Sequence, residues 1–383
     1  MPVVRFPTLA EPVSLGALQL NTRVIMASLT RNRSIPTTVP NEDNVKYYAQ
    51  RAGPGRSGLI LSEGTLIAHQ GTEWENAPGI WDEEHANGWK KVTDAVHDKG
   101  GLIVAQLWHT GRVCHPDMIE QKRSGDPVWA PSDVGARGGK FRTLPGKPGY
   151  ISDPTPIPDP TYILDQYSKA AEMAKLAGFD GVELHSANGY LIEQFLSDVS
   201  NTRTDKWGGS VENRIRFGLE AAKRLIDVWG ADRVGVKISP CGGYNDTYNT
   251  TGDSRLETFK TYISRLDSLG LAYIQLMVAV LGDDHHGGKP QGFPHDIIGT
   301  YGPLIKKSKL VVNGNYTPES GEEVVKSGKA AAVVYGRNYV ANPDFVKRIQ
   351  QGLPLAEINM KGLYTPAVEG QNGSGYNDYP DAE

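Results

Sequence analysis

A chain of 383 residues can bury a large core without disulfide staples; a domain size of ~150 residues gives two to three domains, but one α/β barrel with insertions also reaches this length. Lys and Arg number 40 against 44 Asp and Glu, a net charge of −4 with no basic run, which argues against a nucleic-acid-binding surface. Cys114 and Cys241 cannot build a disulfide framework, apolar stretches such as Leu276 to Leu281 fall far short of the ~20 residues that span a bilayer, and no apolar signal segment follows Met1-Pro2, so a soluble, cytoplasmic protein is expected, with the sequon Asn249-Thr250-Thr251 a chance match.

In chain order, an apolar strand followed by an amphipathic helix recurs. Thr22 to Ala27, Gly58 to Ser62, Leu102 to Leu107, Gly181 to Leu184, Val234 to Ser239, Ala272 to Met277, Leu310 to Val312 and Ala331 to Tyr335 read as strands one to eight. Short apolar runs bounded by glycine are what strands buried on both faces look like. Helical spacing occupies Asn41 to Ala52, Glu83 to Lys99, Leu164 to Ala177, Glu212 to Val228, Arg255 to Leu269, Pro318 to Lys326 and Pro343 to Gln350, the last with Asn342-Pro343 as cap and first turn. The repetition predicts a (β/α)8 barrel, with an open doubly wound sheet as the rival. Residues 1–383 are expected to form one domain, in which 110–160, rich in Gly and Pro and without helical period, covers part of the barrel mouth. The tail after Gly352 is expected to fold back on the barrel. The Gly-x-Gly-x-x-Gly of Gly53 to Gly58 lies between a helix and a strand, the reverse of the dinucleotide fingerprint, and reads as a connecting loop.

In a barrel, function gathers where strands end. Strand three ends Gln106-Leu107-Trp108-His109, and alternation puts Gln106 and Trp108 on one face, where Gln106 is either an interior amide for a ligand or a buried amide satisfied by backbone. Strand four carries Glu183 and His185 on one face, then Asn188 and Tyr190 in the turn that follows. A His and an Asn donating to one oxygen polarise a carbonyl, and a Tyr hydroxyl nearby can supply a proton. Lys237 sits among apolar residues of strand five, where it can face an anionic group, act as a Schiff-base lysine, or snorkel to the mouth. Asn313-Gly314-Asn315 and Gly336-Arg337 end strands seven and eight, the usual phosphate loops of barrels, although glycine there is also ordinary turn chemistry. His285-His286 lies in a polar loop without a usable ligand spacing, so no metal site is expected.

The run His185-Ser186-Ala187-Asn188-Gly189-Tyr190-Leu191-Ile192-Glu193-Gln194-Phe195-Leu196, continued by Ser200 to Asp205 and Trp207 to Arg214, resembles the signature of the old yellow enzyme family of flavin-dependent ene-reductases. The resemblance extends from Leu29-Thr30-Arg31 through Glu63-Gly64-Thr65, Asn76 to Trp81, Gln106 to Arg112, Gly314-Asn315 and Gly336-Arg337 to Gly375 to Pro380, in a form similar to oxophytodienoate, nitroester and morphinone reductases. It implies noncovalent FMN in a (β/α)8 barrel, with Ala27, Leu29, Thr30, Gly64, Gln106, His185 and Lys237 around the flavin and Asn313, Gly314, Asn315, Gly336 and Arg337 around its phosphate. By the same resemblance His185 and Asn188 bind the substrate carbonyl, Tyr190 donates the proton, and Trp108 and Tyr364 line the pocket. The implied reaction is ping-pong: NAD(P)H reduces the flavin, and an α,β-unsaturated carbonyl or related activated alkene then takes hydride at its β-carbon and a proton at its α-carbon.

Two residues depart from the family pattern. Lys237 stands where the family usually has Arg, a point charge in place of a planar fork, and Leu363 precedes Tyr364 where Phe is frequent. Two other readings stay open: an aldolase-type lyase using Lys237, and an FMN-binding protein without turnover. Neither the choice between NADPH and NADH nor the oligomeric state is legible.

Overall fold

The structure is a computed structural model that describes residues 4–141, 143–247, 253–278, 292–364 and 375–382. The His285-His286 pair and the Asn249-Thr250-Thr251 sequon lie outside the described residues.

Eight parallel strands among the described residues close on themselves: Val24–Met26 (β1), Leu59–Leu61 (β2), Ile103–Trp108 (β3), Gly181–Ser186 (β4), Val234–Ile238 (β5), Tyr273–Met277 (β6), Lys309–Asn313 (β7) and Ala332–Tyr335 (β8). β8 pairs with β1 and β2 with β3, so the ring has no free edge and the open-sheet alternative is excluded. All eight correspond to the strands expected from the sequence, with ends moved by a residue or two. Alternation sorts each strand into two faces. Val24, Met26, Ile60, Ile103, Ala105, Val182, Leu184, Val236, Ile274 and Val312 pack outward against the helices. Ile25, Leu59, Leu61, Val104, Tyr273, Val311, Ala332 and Val334 fill the interior.

The helices follow their local signals. Glu83–His97 starts where the Asp82 side chain accepts from the His85 N–H, and it buries Trp89, Val92 and Val96. Val211–Trp229 starts at Ser210, which accepts from the Asn213 N–H. Pro318–Lys326 opens with a Thr317/Ser320 capping box and proline in the first turn.

Three expectations need correction. Asn342 does not open the last helix: it closes a short helix, Arg337–Ala341, while Asp344 precedes Phe345–Gln351. Its amide donates to the carbonyls of Asn338 and Ala356 and accepts from Ala356 N–H, and a residue before proline is steered away from helical backbone. The 110–160 segment does contain a helix, Ile119–Ser124, ended by Gly125 in the left-handed region. It buries only Glu120 and Gln121 and so has no apolar stripe to read. The barrel floor was not anticipated: the hairpin Val13–Leu15 and Leu18–Leu20 inserts Leu15, Leu18 and Leu20 into the interior cluster. Its turn needs Gly16, with φ 57°, because a Cβ there would lie 2.2 Å from the Asp232 carbonyl oxygen.

The tail returns to the barrel as expected, held by two buried arginines. Arg31 donates to the Leu363 and Gly375 carbonyls, and Arg33 to those of Gly362 and Leu363. Tyr376 stacks on Tyr47 with ring centroids 4.2 Å apart.

Candidate active site

The C-terminal ends of β3 and β4 bring Trp108, His185 and Tyr190 together. The Tyr190 ring lies edge-on to Trp108 at 4.9 Å and to His185 at 5.1 Å, and Trp108 and His185 are near-parallel at 6.3 Å. Gly64 sits under Trp108: a Cβ there would be 2.6 Å from the indole, so the loop after β2 can approach only as glycine.

His185 is buried, and its Nδ1 accepts from the Ala187 N–H at 3.3 Å. A backbone N–H can only donate, so Nε2 carries the proton of the neutral ring. Burial, then the Lys237 charge, holds the imidazole well below its ordinary pKa. The result is a neutral donor at a fixed atom. Asn188 stands in the left-handed region at φ 59°, followed by Gly189 at φ 73°, and its Oδ1 is buried without a hydrogen-bond partner. The turn is held from behind: Asn188 N–H donates to Ser239 Oγ, Ser239 donates to Glu193 Oε2 at 2.6 Å, and Gly189 N–H donates to the same oxygen. Asn245 Nδ2 donates to the Asn188 carbonyl.

Inside the barrel, polar groups replace the apolar filling above Tyr273. Gln106 is satisfied by side chains, with Nε2 donating to Glu183 Oε1 at 2.7 Å and Oε1 accepting from Ser28 at 2.7 Å. To read a ligand edge it must exchange one of these partners. Lys237 is 5% exposed, so it does not snorkel to water; it pairs in register with His185 and Gln275. Burial pushes Lys237 and Glu183 each toward the neutral form, and their opposite charges resist it. Gly235 makes room for this arrangement, since a Cβ there would lie 2.1 Å from Tyr273.

The remaining expected residues are distributed around the same mouth. Gly336 lies 3.6 Å from Leu29 and 3.7 Å from Ala27, measured from an added Cβ. Arg337 is exposed, Thr30 half-buried, and Gly314 and Asn315 both have positive φ after β7. Asn313 donates its Nδ2 to the Val334 carbonyl, a tie between β7 and β8. Tyr364 packs on Trp74 at 4.8 Å.

Sequence reasoning missed three participants. Gln275, on the inward face of β6, has both amide atoms buried without partners. The rule that singled out Gln106, a polar residue in a strand buried on both faces, applies equally to it. Glu73 and Tyr150 meet Tyr190 from distant loops, and no local pattern marks either one. Tyr190 donates to Glu73 Oε2 at 2.8 Å, and Tyr150 donates to Glu73 Oε1 at 2.7 Å.

The chain matches the NADH:flavin oxidoreductase / NADH oxidase family over residues 8–356. It belongs to the old yellow enzyme family. It is 37% identical to the 12-oxophytodienoate reductase 7 of Oryza sativa subsp. japonica, over 97% of this chain and 94% of that protein. It is 36% identical, over 97% and 94%, to a Claviceps fusiformis protein named "Probable inactive dehydrogenase easA". Among solved structures it resembles the old yellow enzyme homologue from Zymomonas mobilis, with TM-score 0.87 and 37% identity, covering 98% of this chain and 100% of that one. The chain is thus an oxidoreductase of an FMN-dependent family, and the aldolase reading of Lys237 is set aside. Among the described residues no group of His, Cys, Asp and Glu is arranged to hold a metal, and no helix is long and apolar enough to cross a membrane.

The site's chemistry suits FMN. A flat heteroaromatic ring rimmed by carbonyls and N–H groups needs both donors and acceptors, and the unpartnered Gln275 amide, buried Lys237 and half-buried Thr30 offer them within the barrel.

Proposed function

We propose that the chain is an NAD(P)H-dependent ene-reductase that acts as one FMN-binding unit over residues 1–383 in the cytoplasm and saturates the C=C bond of α,β-unsaturated carbonyls or related activated alkenes. The observation that carries this reading is the neutral His185 with its free Nε2–H, set beside Asn188 and Tyr190 at the end of β4. FMN, when bound, would supply hydride transfer between NADPH or NADH and the alkene, which we read as a ping-pong reaction.

Ala27, Leu29, Thr30, Gly64, Gln106, His185 and Lys237 would hold the ring system, and Asn313, Gly314, Asn315, Gly336 and Arg337 the phosphate. In this assignment Asn313 acts through its backbone, because its amide is committed to Val334. Lys237 presents a single positive charge rather than a fork, so it can neutralise one ring atom but cannot grip two.

His185 Nε2–H and the Asn188 amide bind the substrate carbonyl oxygen, and both interactions strengthen as negative charge develops there. Electron withdrawal through that oxygen makes the β-carbon electrophilic. Tyr190, whose phenol burial and the Glu73 charge hold well above its ordinary pKa, keeps its proton and delivers it to the α-carbon. Trp108 and Tyr364 wall the pocket and exclude water.

The test separates two half-reactions. The purified protein should be yellow, bleach on anaerobic addition of NADPH or NADH, and regain colour with a cyclic enone. Tyr190→Phe should slow recolouring about 100-fold or more, within the span of general acid catalysis, and leave bleaching nearly intact. Equal loss of both steps refutes the proton-donor role. Failure to bleach with either nicotinamide favours the reading in which flavin is carried without turnover.

A further inference from the structure

Tyr190 has one hydroxyl hydrogen, and that hydrogen is directed at Glu73. Glu73 Oε2 accepts it at 2.8 Å, while Tyr150 donates to the other carboxylate oxygen at 2.7 Å. The three groups come from separate segments: Glu73 from the loop after β2, Tyr190 from the turn after β4, and Tyr150 from the 110–160 excursion. A phenol that donates to a carboxylate cannot donate the same hydrogen to a substrate carbon. If Glu73 carries a proton, its own O–H can donate to the Tyr190 oxygen, and the phenol hydrogen is released toward the substrate side.

We propose that Glu73 is a positioning residue that works through Tyr190, passing it a proton as Tyr190 protonates the substrate. In this step the Tyr190 O–H bond breaks as the α-carbon C–H bond forms. The Glu73 O–H bond breaks as the Tyr190 O–H bond re-forms. Glu73 is left as carboxylate and regains its proton from water before the next turnover. The inference rests on the reading of Tyr190 as proton donor.

The surroundings of Glu73 suit a group that changes protonation state. Burial of the carboxylate, assisted by Glu75 on the same loop, pushes its pKa up, and the hydrogen bonds from Tyr150, Tyr190 and Trp74 oppose that rise. A thiol and a phenol at the cluster, Cys114 and Tyr190, hold their protons. Cys114 is pushed up to about 12 by burial, and the phenol of Tyr190 is raised further by Tyr244 and Tyr150.

The experiment is stopped-flow oxidation of the reduced holoenzyme by a cyclic enone as a function of pH. The expected result is a rate that falls as pH rises through the pKa of Glu73, with no matching fall in reduction by NADPH. Glu73→Gln should abolish this pH dependence and slow the step about tenfold at unchanged enone affinity. Tyr150→Phe removes one donor to the carboxylate, so the fall should move to higher pH. Infrared difference spectra of the protein titrated over the same pH range should show a protonated-carboxyl band that Glu73→Gln lacks. A Glu73→Gln enzyme with the wild-type pH profile, or a Tyr150→Phe enzyme with an unmoved one, overturns the relay. If Tyr190→Phe slows the enone step while Glu73→Gln does not alter it, only the relay fails. If Tyr190→Phe is without effect, the proton-donor reading fails and takes the relay with it.

Discussion

At the scale of single residues, the state of His185 decides what the pocket can bind. A cationic imidazole would offer two donors and a charge, but burial and Lys237 keep this ring neutral, and the Ala187 N–H fixes which nitrogen carries hydrogen. Phenols present an oxygen like that of an enolate, so they should seat on the same pair of donors. His185→Ala should weaken phenol binding about tenfold, the equivalent of one hydrogen bond of ~1.5 kcal/mol, read from the charge-transfer band on titration. An unchanged band and affinity would place the phenol elsewhere. Much of this was legible in the sequence, because His185, Asn188 and Tyr190 fall within one strand end and its turn. Glu73 was not, since the bond that links it to Tyr190 spans 117 positions and no spacing rule connects a loop residue to a partner so distant.

At the scale of elements, the strands were readable because each is a short, mostly apolar run bounded by turn residues, its few buried polar side chains set toward the mouth. Leu191–Leu196 escaped because it is only six residues long and buries its polar Glu193 and Gln194 along with its apolar residues, so it shows no solvent-facing stripe and no period. That short helix carries Glu193, which supports the Asn188 turn from beneath. Burial raises Glu193 from its ordinary 4.5 to about 7 against the hydrogen bonds of Ser239, Gly189 and Thr247. Its folded pKa lies above its unfolded value, so the folded chain holds a proton that the unfolded chain releases between about pH 4.5 and 7. Stability contributed by this proton is full below that window and declines as pH rises through it, by up to about 3 kcal/mol. Urea unfolding at a series of pH values should show the decline, and Glu193→Gln should flatten it. A slope that persists in the variant would assign it to another group.

At the scale of the whole molecule, the same fold serves relatives with different names: the chain is 36% identical to a protein named "Probable inactive dehydrogenase easA" and 37% identical to a 12-oxophytodienoate reductase. The division of labour along the barrel axis offers a sharper test. Polar residues gather at the C-terminal mouth, while the floor is closed by Leu15, Leu18 and Leu20 of the hairpin, which join Leu59, Leu61 and Val311 in one buried cluster. The hairpin was missed because its strands are only three residues each, too short to show alternation against the background. Leu18 is 2% exposed and lies in the hairpin that closes the barrel floor, so Leu18→Ala should act mainly on stability. Truncating a buried leucine costs about 2–5 kcal/mol, and with ~2.1 cal/mol/K of unfolding entropy per residue a chain of this length should lose about 3–6 °C in Tm. Because the hairpin meets the barrel at the Asp232 end, opposite the ends of β3 and β4 that carry Trp108 and His185, the enone half-reaction of the folded variant should match that of the parent at a temperature below both transitions. A variant that unfolds at the parent temperature yet recolours slowly with enone would show that floor and mouth are coupled, and that the hairpin helps to set the geometry of His185 and Lys237 rather than only sealing the barrel beneath them.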